Sequence, residues 1–156
     1  MLRLDIPGRP TLELEHAIFD FNGTLACDGV LCEGIRERIE SLAGYLQVHV
    51  VTGNTFGKAA EQLEGLPCTL TILDATGQSE AKAAHLVALD PEQTVCIGNG
   101  FNDRLMLEAA AISIVVVQDE GAAVSSLLAA DVAVRNIRDA FDILLNPTRL
   151  VATLRP

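Results

Sequence analysis

Tryptophan is absent from the 156 residues, and five Phe and one Tyr are the whole aromatic complement. A core built from this chain must be aliphatic, since 49% of its residues are hydrophobic. That composition favours buried Val, Ile and Leu strands in a parallel sheet over an aromatic-rich β-sandwich. Long apolar runs are missing too: the strongest burst, 112–117, is ended by Gln118-Asp119-Glu120, far short of the roughly 18 residues a bilayer-spanning helix needs. No membrane association is expected. Positive charge is scarce, with 11 basic against 21 acidic residues and a net charge of −10. A field of that sign repels nucleic acid and anionic surfaces. The four cysteines, Cys27, Cys32, Cys68 and Cys96, show neither CxxC nor zinc-ligand spacing, and MLRLDIPGRP lacks the basic and apolar blocks of a signal peptide. The expected location is a reducing cytoplasm. Cys27 and Cys32 flank a turn centred on Asp28-Gly29, which sets Cys27 against Val30 and leaves two ordinary thiols.

Apolar positions alternate at Leu2, Leu4, Ile6, Leu12 and Leu14 around Pro7-Gly8-Arg9-Pro10, so 1–15 reads as an N-terminal β-hairpin. From residue 17 strands alternate with helices. The strands are read at 17–21, 48–52, 68–73, 94–98, 112–117 and 132–134. The helices are read at 34–46, 55–63, 79–89, 102–110, 122–129 and 137–145. That rhythm predicts an α/β fold, a three-layer α/β/α sandwich on a mainly parallel, Rossmann-like sheet. Short connections and the absence of a linker point to a single domain over 1–156.

Ligands of open parallel sheets lie beyond the carboxyl ends of the strands. Four polar groups stand at or near such ends: Asp20 with Asn22-Gly23-Thr24, Thr52-Gly53-Asn54, Lys82, and Gly98-Asn99-Gly100-Phe101-Asn102-Asp103. Asp20 is a carboxylate placed to attack phosphorus, and the amides of Asn22, Gly23 and Thr24 are read as a nest for phosphate oxygens. Asp20, Asn99 and Asp103 are oxygen donors suited to Mg2+, which takes one or two carboxylates plus substrate oxygens and water. Thr52 offers a hydroxyl and Lys82 a positive charge for a transferring phosphoryl group. Taken singly, Asp20 reads as a turn aspartate and Lys82 as a solvated helix lysine; it is their ordered combination that carries the chemistry. His16, His49 and His85 have no ligand spacing and read as structural. Asn54 and Asn102 serve equally well as helix caps.

The series Phe19-Asp20-Phe21-Asn22-Gly23-Thr24-Leu25, Thr52-Gly53, Lys82 and Gly98–Asp103 resembles the four motifs of the haloacid dehalogenase-like (HAD) superfamily. The stretch 95–134 looks most like the phosphorylation domain of P-type ATPases. The resemblance implies an aspartyl-phosphate on Asp20, with Asn22, Gly23, Thr24, Thr52, Gly53 and Lys82 around the phosphoryl group. It also implies Mg2+ held by Asp20, the Asn22 carbonyl, Asn99 and Asp103. A flap hairpin at 25–33 is implied as well, and Asp-Gly between apolar runs is independently a hairpin signal. About 30 residues separate successive motifs among the first three, which leaves no room for a cap domain. Capless relatives take large substrates or complete the site by oligomerisation, so the implied partner is a phosphorylated small molecule or macromolecule, with homo-oligomers allowed.

Two residues depart from that pattern. Asn22 stands where phosphatases of the superfamily carry an acid/base carboxyl, a group worth about 10²–10⁴-fold, so hydrolysis of ordinary monoesters is expected to be slow. Asn99 replaces a metal-binding aspartate, which removes one negative charge. A magnesium-dependent phosphohydrolase or phosphotransferase is the leading expectation. A non-hydrolytic phosphate-binding module and an acidic partner-binding domain stand as rivals.

Overall fold

Short apolar strands follow one another through the middle of the chain, and in the computed structural model, which describes residues 1–156, six of them form one parallel sheet. These are β3 (His16–Phe19), β6 (Gln47–Thr52), β7 (Thr69–Ile72), β8 (Thr94–Gly98), β9 (Ile112–Val116) and β10 (Val132–Val134). Their order is β10-β9-β8-β3-β6-β7, with β3 paired to β6 and β8. Two antiparallel ribbons complete the strands: β1 (Leu2–Leu4) with β2 (Leu12–Leu14), and β4 (Ala26–Cys27) with β5 (Val30–Leu31). The helices are α1 (Ile35–Ala43), α2 (Ala59–Gln62), α3 (Gln78–Leu89), α4 (Arg104–Ala109), α5 (Val124–Ala129), α6 (Ile137–Leu145) and α7 (Pro147–Leu154). No helix is long and apolar enough to cross a membrane.

The period-two alternation of a strand sorts its side chains between the faces of the sheet. Ala17, Phe19, Val48, Val50, Val95 and Ile97 enter the larger core, with Ile35 and Ile39 of α1, Phe141 of α6, Leu150 of α7 and the N-terminal ribbon's Leu4 and Leu14. Phe19 and Phe141 stack with ring centroids 4.8 Å apart. Fully burying a side chain of this kind contributes about 1.5–3 kcal/mol. The opposite face buries only Ile18, Val51, Leu86, Cys96, Met106 and Leu107 in its own cluster. That face also buries Asp20, His49, Lys82 and Asp103, which makes α3 the helix that faces buried chemistry.

Two expected elements differ. The helix read over 55–63 is reduced to α2, because Asn54 (φ 52°) and Gly57 (φ 67°) adopt left-handed backbone that a right-handed helix cannot include. The Asn54 side chain instead accepts the Ala59 N–H at 3.1 Å. Beyond Leu145 the chain continues into α7, whose first turn carries Pro147, a residue that loses nothing there because that N–H has no helical partner anyway. The 28–29 turn has φ of 50° and 78°, the pair of positive values a two-residue hairpin needs. Cys27 pairs with Val30, and all four cysteines are free.

The three histidines, far apart in sequence, meet beneath α3. His16 Nδ1 lies 3.3 Å from His49 Nε2, and the His49 and His85 rings are 5.7 Å apart, edge to face. His49 Nδ1 and His85 Nε2 are buried without partners. Burial, with the charges His16 and His85 could carry, pushes His49 down from 6.5 to about 4. Between these values the unfolded chain binds a proton the folded one refuses, so stability is complete above about pH 6.5 and falls as pH drops toward 4. Because Asp20 takes up a proton in the folded state over the same range, the histidine contribution is read as a difference: urea denaturation at pH 7 and pH 5 is expected to show a less favourable change in stability on acidification for the wild type than for His49→Gln.

Candidate active site

Asp20 follows the last residue of β3, and its N–H still donates to the Ile97 carbonyl at 2.9 Å, so the carboxylate leaves the sheet from a fixed backbone. It belongs to the alternation of His16 and Ile18, on the face that α3 covers. About one turn into α3, Lys82 extends its ammonium onto that face. Nζ donates to Asp20 Oδ1 at 2.7 Å and to Asp103 Oδ1 at 2.6 Å, with the Lys82 residue 0% and Asp20 6% exposed.

Asp103 is held from its other side. Its Oδ2 accepts the N–H groups of Asn99 (2.9 Å) and Gly100 (2.8 Å), folding the loop after β8 around the carboxylate. Gly98 permits this: a Cβ there would stand 2.5 Å from Asp103 Cγ. Gly23 has the same role toward Asn99, since a Cβ at Gly23 would meet Asn99 Nδ2 at 2.3 Å and its φ is +80°. Thr24 Oγ1 lies 3.1 Å from Asn99 Oδ1 and 3.4 Å from Asp20 Oδ2, so one buried hydroxyl donates between two acceptor oxygens from different loops. Thr52, also buried, accepts the Asn54 N–H on its Oγ1 at 2.9 Å and keeps its own hydrogen to donate. Gln78 lies against Gly53 and accepts from Asn102 Nδ2 at 2.8 Å, linking the second and fourth motifs.

The structure therefore brings together Asp20, Thr24, Lys82, Asn99 and Asp103 by direct hydrogen bonds and sets Gly23 against Asn99. Thr52 and Gly53 stand at the end of the neighbouring strand. One expectation is corrected. The nest of Gly23 and Thr24 amides is not open: Gly23 N–H donates to the Ala26 carbonyl at 2.7 Å and Thr24 N–H to that of Phe21 at 3.2 Å. These two amides close the turn that leads into β4. Asn22 Oδ1 is buried without a partner. Sequence reading also passed over Gln118, taken only as the end of a strand. Its position at the carboxyl end of β9 was the available signal.

Two carboxylates share one ammonium, so the cluster is one positive charge short when both are ionised. Burial chiefly, then the charge of Asp103, raises Asp20 from 3.8 to about 7 against the opposing pull of Lys82 and the Phe21 N–H. Burial lowers Lys82, but the attraction and hydrogen bonds of Asp20 and Asp103 together hold it above its ordinary value. A further cation at Asp20 would relieve this deficit. No three His, Cys, Asp or Glu side chains converge to hold a metal alone, so the donors available are Asp20, the Asn99 amide oxygen and backbone carbonyls. That all-oxygen set with a single carboxylate fits Mg2+, which relies on phosphate and water for the rest of its shell. The larger cavities, about 530 Å³ each, lie elsewhere, one beside Tyr45, Leu66 and Cys68 and one beside Leu12, Gln93 and Ala111. The cleft at Asp20 is filled by its own side chains.

No family model matches the chain. It is 47% identical over 64 residues, 41% of its own length and 69% of the relative's, to an uncharacterized protein of Methanocaldococcus jannaschii. Among solved structures it is similar to the cobalt-bound deoxy-D-mannose-octulosonate 8-phosphate phosphatase of Haemophilus influenzae, with TM-score 0.72, 19% identity and coverage of 92% and 94% of the two chains. A HAD family hydrolase from Streptomyces avermitilis gives TM-score 0.69 at 17% identity, covering 93% and 90%. The 3-deoxy-D-manno-octulosonate 8-phosphate phosphatase of Moraxella catarrhalis, solved with magnesium, phosphate and the sugar acid, gives 0.65 at 15%, covering 91% and 94%. At these identities the likeness is one of fold, and the fold is that of the HAD phosphatases.

Removing Lys82 leaves two buried carboxylates without a cation, a loss that typically costs about 3–5 kcal/mol. Lys82→Met is expected to lose that order of stability at pH 7 and to recover part of it at pH 5, where a carboxyl takes up the missing positive charge as a proton. Chemical denaturation at both pH values measures it.

Proposed function

Since the chain belongs to one family with the Methanocaldococcus jannaschii protein and has the HAD fold, we propose that it is a magnesium-dependent phosphohydrolase or phosphotransferase acting through an aspartyl-phosphate on Asp20. The observation that carries this reading is the buried Lys82 ammonium on both Asp20 and Asp103, which gathers groups 62 and 21 residues apart at the carboxyl ends of the strands. An Asp20 carboxylate oxygen attacks phosphorus, the bond from phosphorus to the leaving oxygen breaks with its electron pair on that oxygen, and water later releases phosphate from Asp20. Lys82 and Thr52 face the transferring oxygens. Asp20, Asn99 and the Asn22 carbonyl would hold Mg2+, which neutralises phosphoryl charge and keeps Asp20 ionised. Asp103, with both oxygens engaged, serves by holding Lys82 and the 98–100 backbone. Gly23 supplies the close approach to Asn99, and Thr24 supplies its hydroxyl between the two metal donors.

Asn22 sets the character of the enzyme. An amide neither protonates a leaving group nor activates water, so turnover of ordinary monoesters is slow and the phosphoenzyme long-lived. The domain is single and without a cap, the flap being β4 and β5, and within the superfamily it stands with soluble proteins like the P-type ATPase phosphorylation domain. The magnesium- and phosphate-bound Moraxella enzyme supports a phosphorylated small molecule as substrate, with a phosphorylated macromolecule or completion of the site by a second copy as the alternatives for a domain without a cap. Free cysteines support a cytoplasmic location. A non-hydrolytic phosphate-binding module is the second reading, favoured by the lack of an acid/base group at Asn22.

Incubation with acetyl phosphate and Mg2+ is expected to add one phosphoryl group, about 80 Da by intact mass, to the wild type and none to Asp20→Asn. Absence of the adduct and of magnesium-dependent turnover with nitrophenyl phosphate would favour the binding module. Asn22→Asp restores the acid/base group and is expected to raise monoester turnover about 10²-fold and to shorten the phosphoenzyme lifetime in single-turnover decay. The added charge beside Asp20 is expected to raise KM at the same time.

A further inference from the structure

Both ends of the Gln118 side-chain amide are hydrogen-bonded, and the partners belong to two separate parts of the site's frame. Its Nε2 donates to the Thr24 carbonyl at 2.7 Å and to the Gly23 carbonyl at 3.1 Å, while Oε1 accepts the Ile137 N–H at 3.0 Å. Ile137 opens α6, where the first amides lack helical acceptors. Gln118 thus ties the turn after Asp20 to a helix anchored in the larger core through Phe141 and Leu144.

The segment that follows holds the other candidate metal donor. Asn99 Nδ2 donates to the Gly121 carbonyl at 3.0 Å, and the Asn99 carbonyl accepts from Ala123 N–H at 2.8 Å. With its Nδ2 taken by Gly121, Asn99 presents Oδ1 to Thr24. Ser126 then donates to the Gly100 carbonyl at 2.6 Å. One strap, 118–126, therefore grips both loops that contribute oxygen to the metal: the Gly23-Thr24 turn through Gln118 and the Asn99 loop through Gly121, Ala123 and Ser126.

We propose that Gln118 is a positioning residue for Mg2+ binding, fixing the Gly23-Thr24 turn so that Thr24 holds Asp20 and Asn99 at one separation; this rests on the phosphohydrolase reading above. Gln118 touches neither substrate nor metal. Groups that orient a metal's ligands typically cost about 10–100-fold in affinity when removed. Gln118→Glu keeps the shape but turns an acceptor toward two carbonyls, and Gln118→Met removes the hydrogen bonds without adding charge, should the glutamate variant not fold.

Mn2+ serves as the probe, its binding followed by electron paramagnetic resonance without substrate. Both variants are expected to bind Mn2+ at least about tenfold more weakly than the wild type. Arg3→Ala, which breaks the exposed Arg3–Asp5 pair of the N-terminal ribbon, is expected to leave affinity unchanged. Hydrogen exchange at Gly23, Thr24 and Ala26, whose amides close the turn, is expected to quicken in the Gln118 variants alone. Wild-type Mn2+ affinity in a folded Gln118 variant overturns the proposal, as does unchanged exchange at the three amides. If the wild type itself binds no Mn2+, the metal-dependent reading and the metal role of Gln118 fall together, whereas loss confined to the Gln118 variants leaves the reading standing.

Discussion

A buried ammonium between two buried carboxylates is the constraint around which this fold is arranged. Lys82 has no exposed surface, so its charge is tolerable only because Asp20 and Asp103 stand within 2.7 Å. Each of the three is useful to the others only if α3, the end of β3 and the loop after β8 hold their relative places. The cost of desolvating such a group is several kcal/mol, and the well-packed aliphatic core on the other side of the sheet offsets it.

That arrangement explains the glycines at strand ends. Gly23, Gly53 and Gly98 stand where a side chain from another motif closes against the backbone, and a Cβ at any of them would come within 2.5 Å of that neighbour. They let Asn99, Gln78 and Asp103 reach the positions their chemistry needs. The cleft is consequently filled and polar, and its larger-volume cavities lie at other places on the molecule. Burial that raises Asp20 toward neutrality makes the carboxyl receptive to a cation, and the oxygen donors beside Thr24 offer one a place.

The two asparagines follow the same logic. Asn99 contributes an amide oxygen without charge, which leaves Asp20 as the carboxylate not already committed to the loop. Within the proposed function, Asn22 stands where an acid/base carboxyl would serve fast ester hydrolysis. Both substitutions lower the negative charge around a phosphoryl group, favouring retention of phosphate over rapid release within the proposed function.

Local sequence determined the strands, because runs such as 112–116 are too apolar to be anything but interior, and it determined the Asp28-Gly29 ribbon, because both positions require positive φ. It also brought forward Asp20, Thr52, Lys82, Asn99 and Asp103 as candidates, through their ordered combination along the chain rather than through any one of them. It failed over 55–63, where two left-handed residues override a helical pattern, and at α7, whose Pro147 start was overlooked. Tertiary structure alone decided that the Gly23 and Thr24 amides close a turn, that three histidines meet under α3, and that Gln118 grips the turn 94 residues before it. Periodicity assigns a residue to a face, but which groups meet on that face depends on how strands distant in sequence lie side by side, and no local pattern records that.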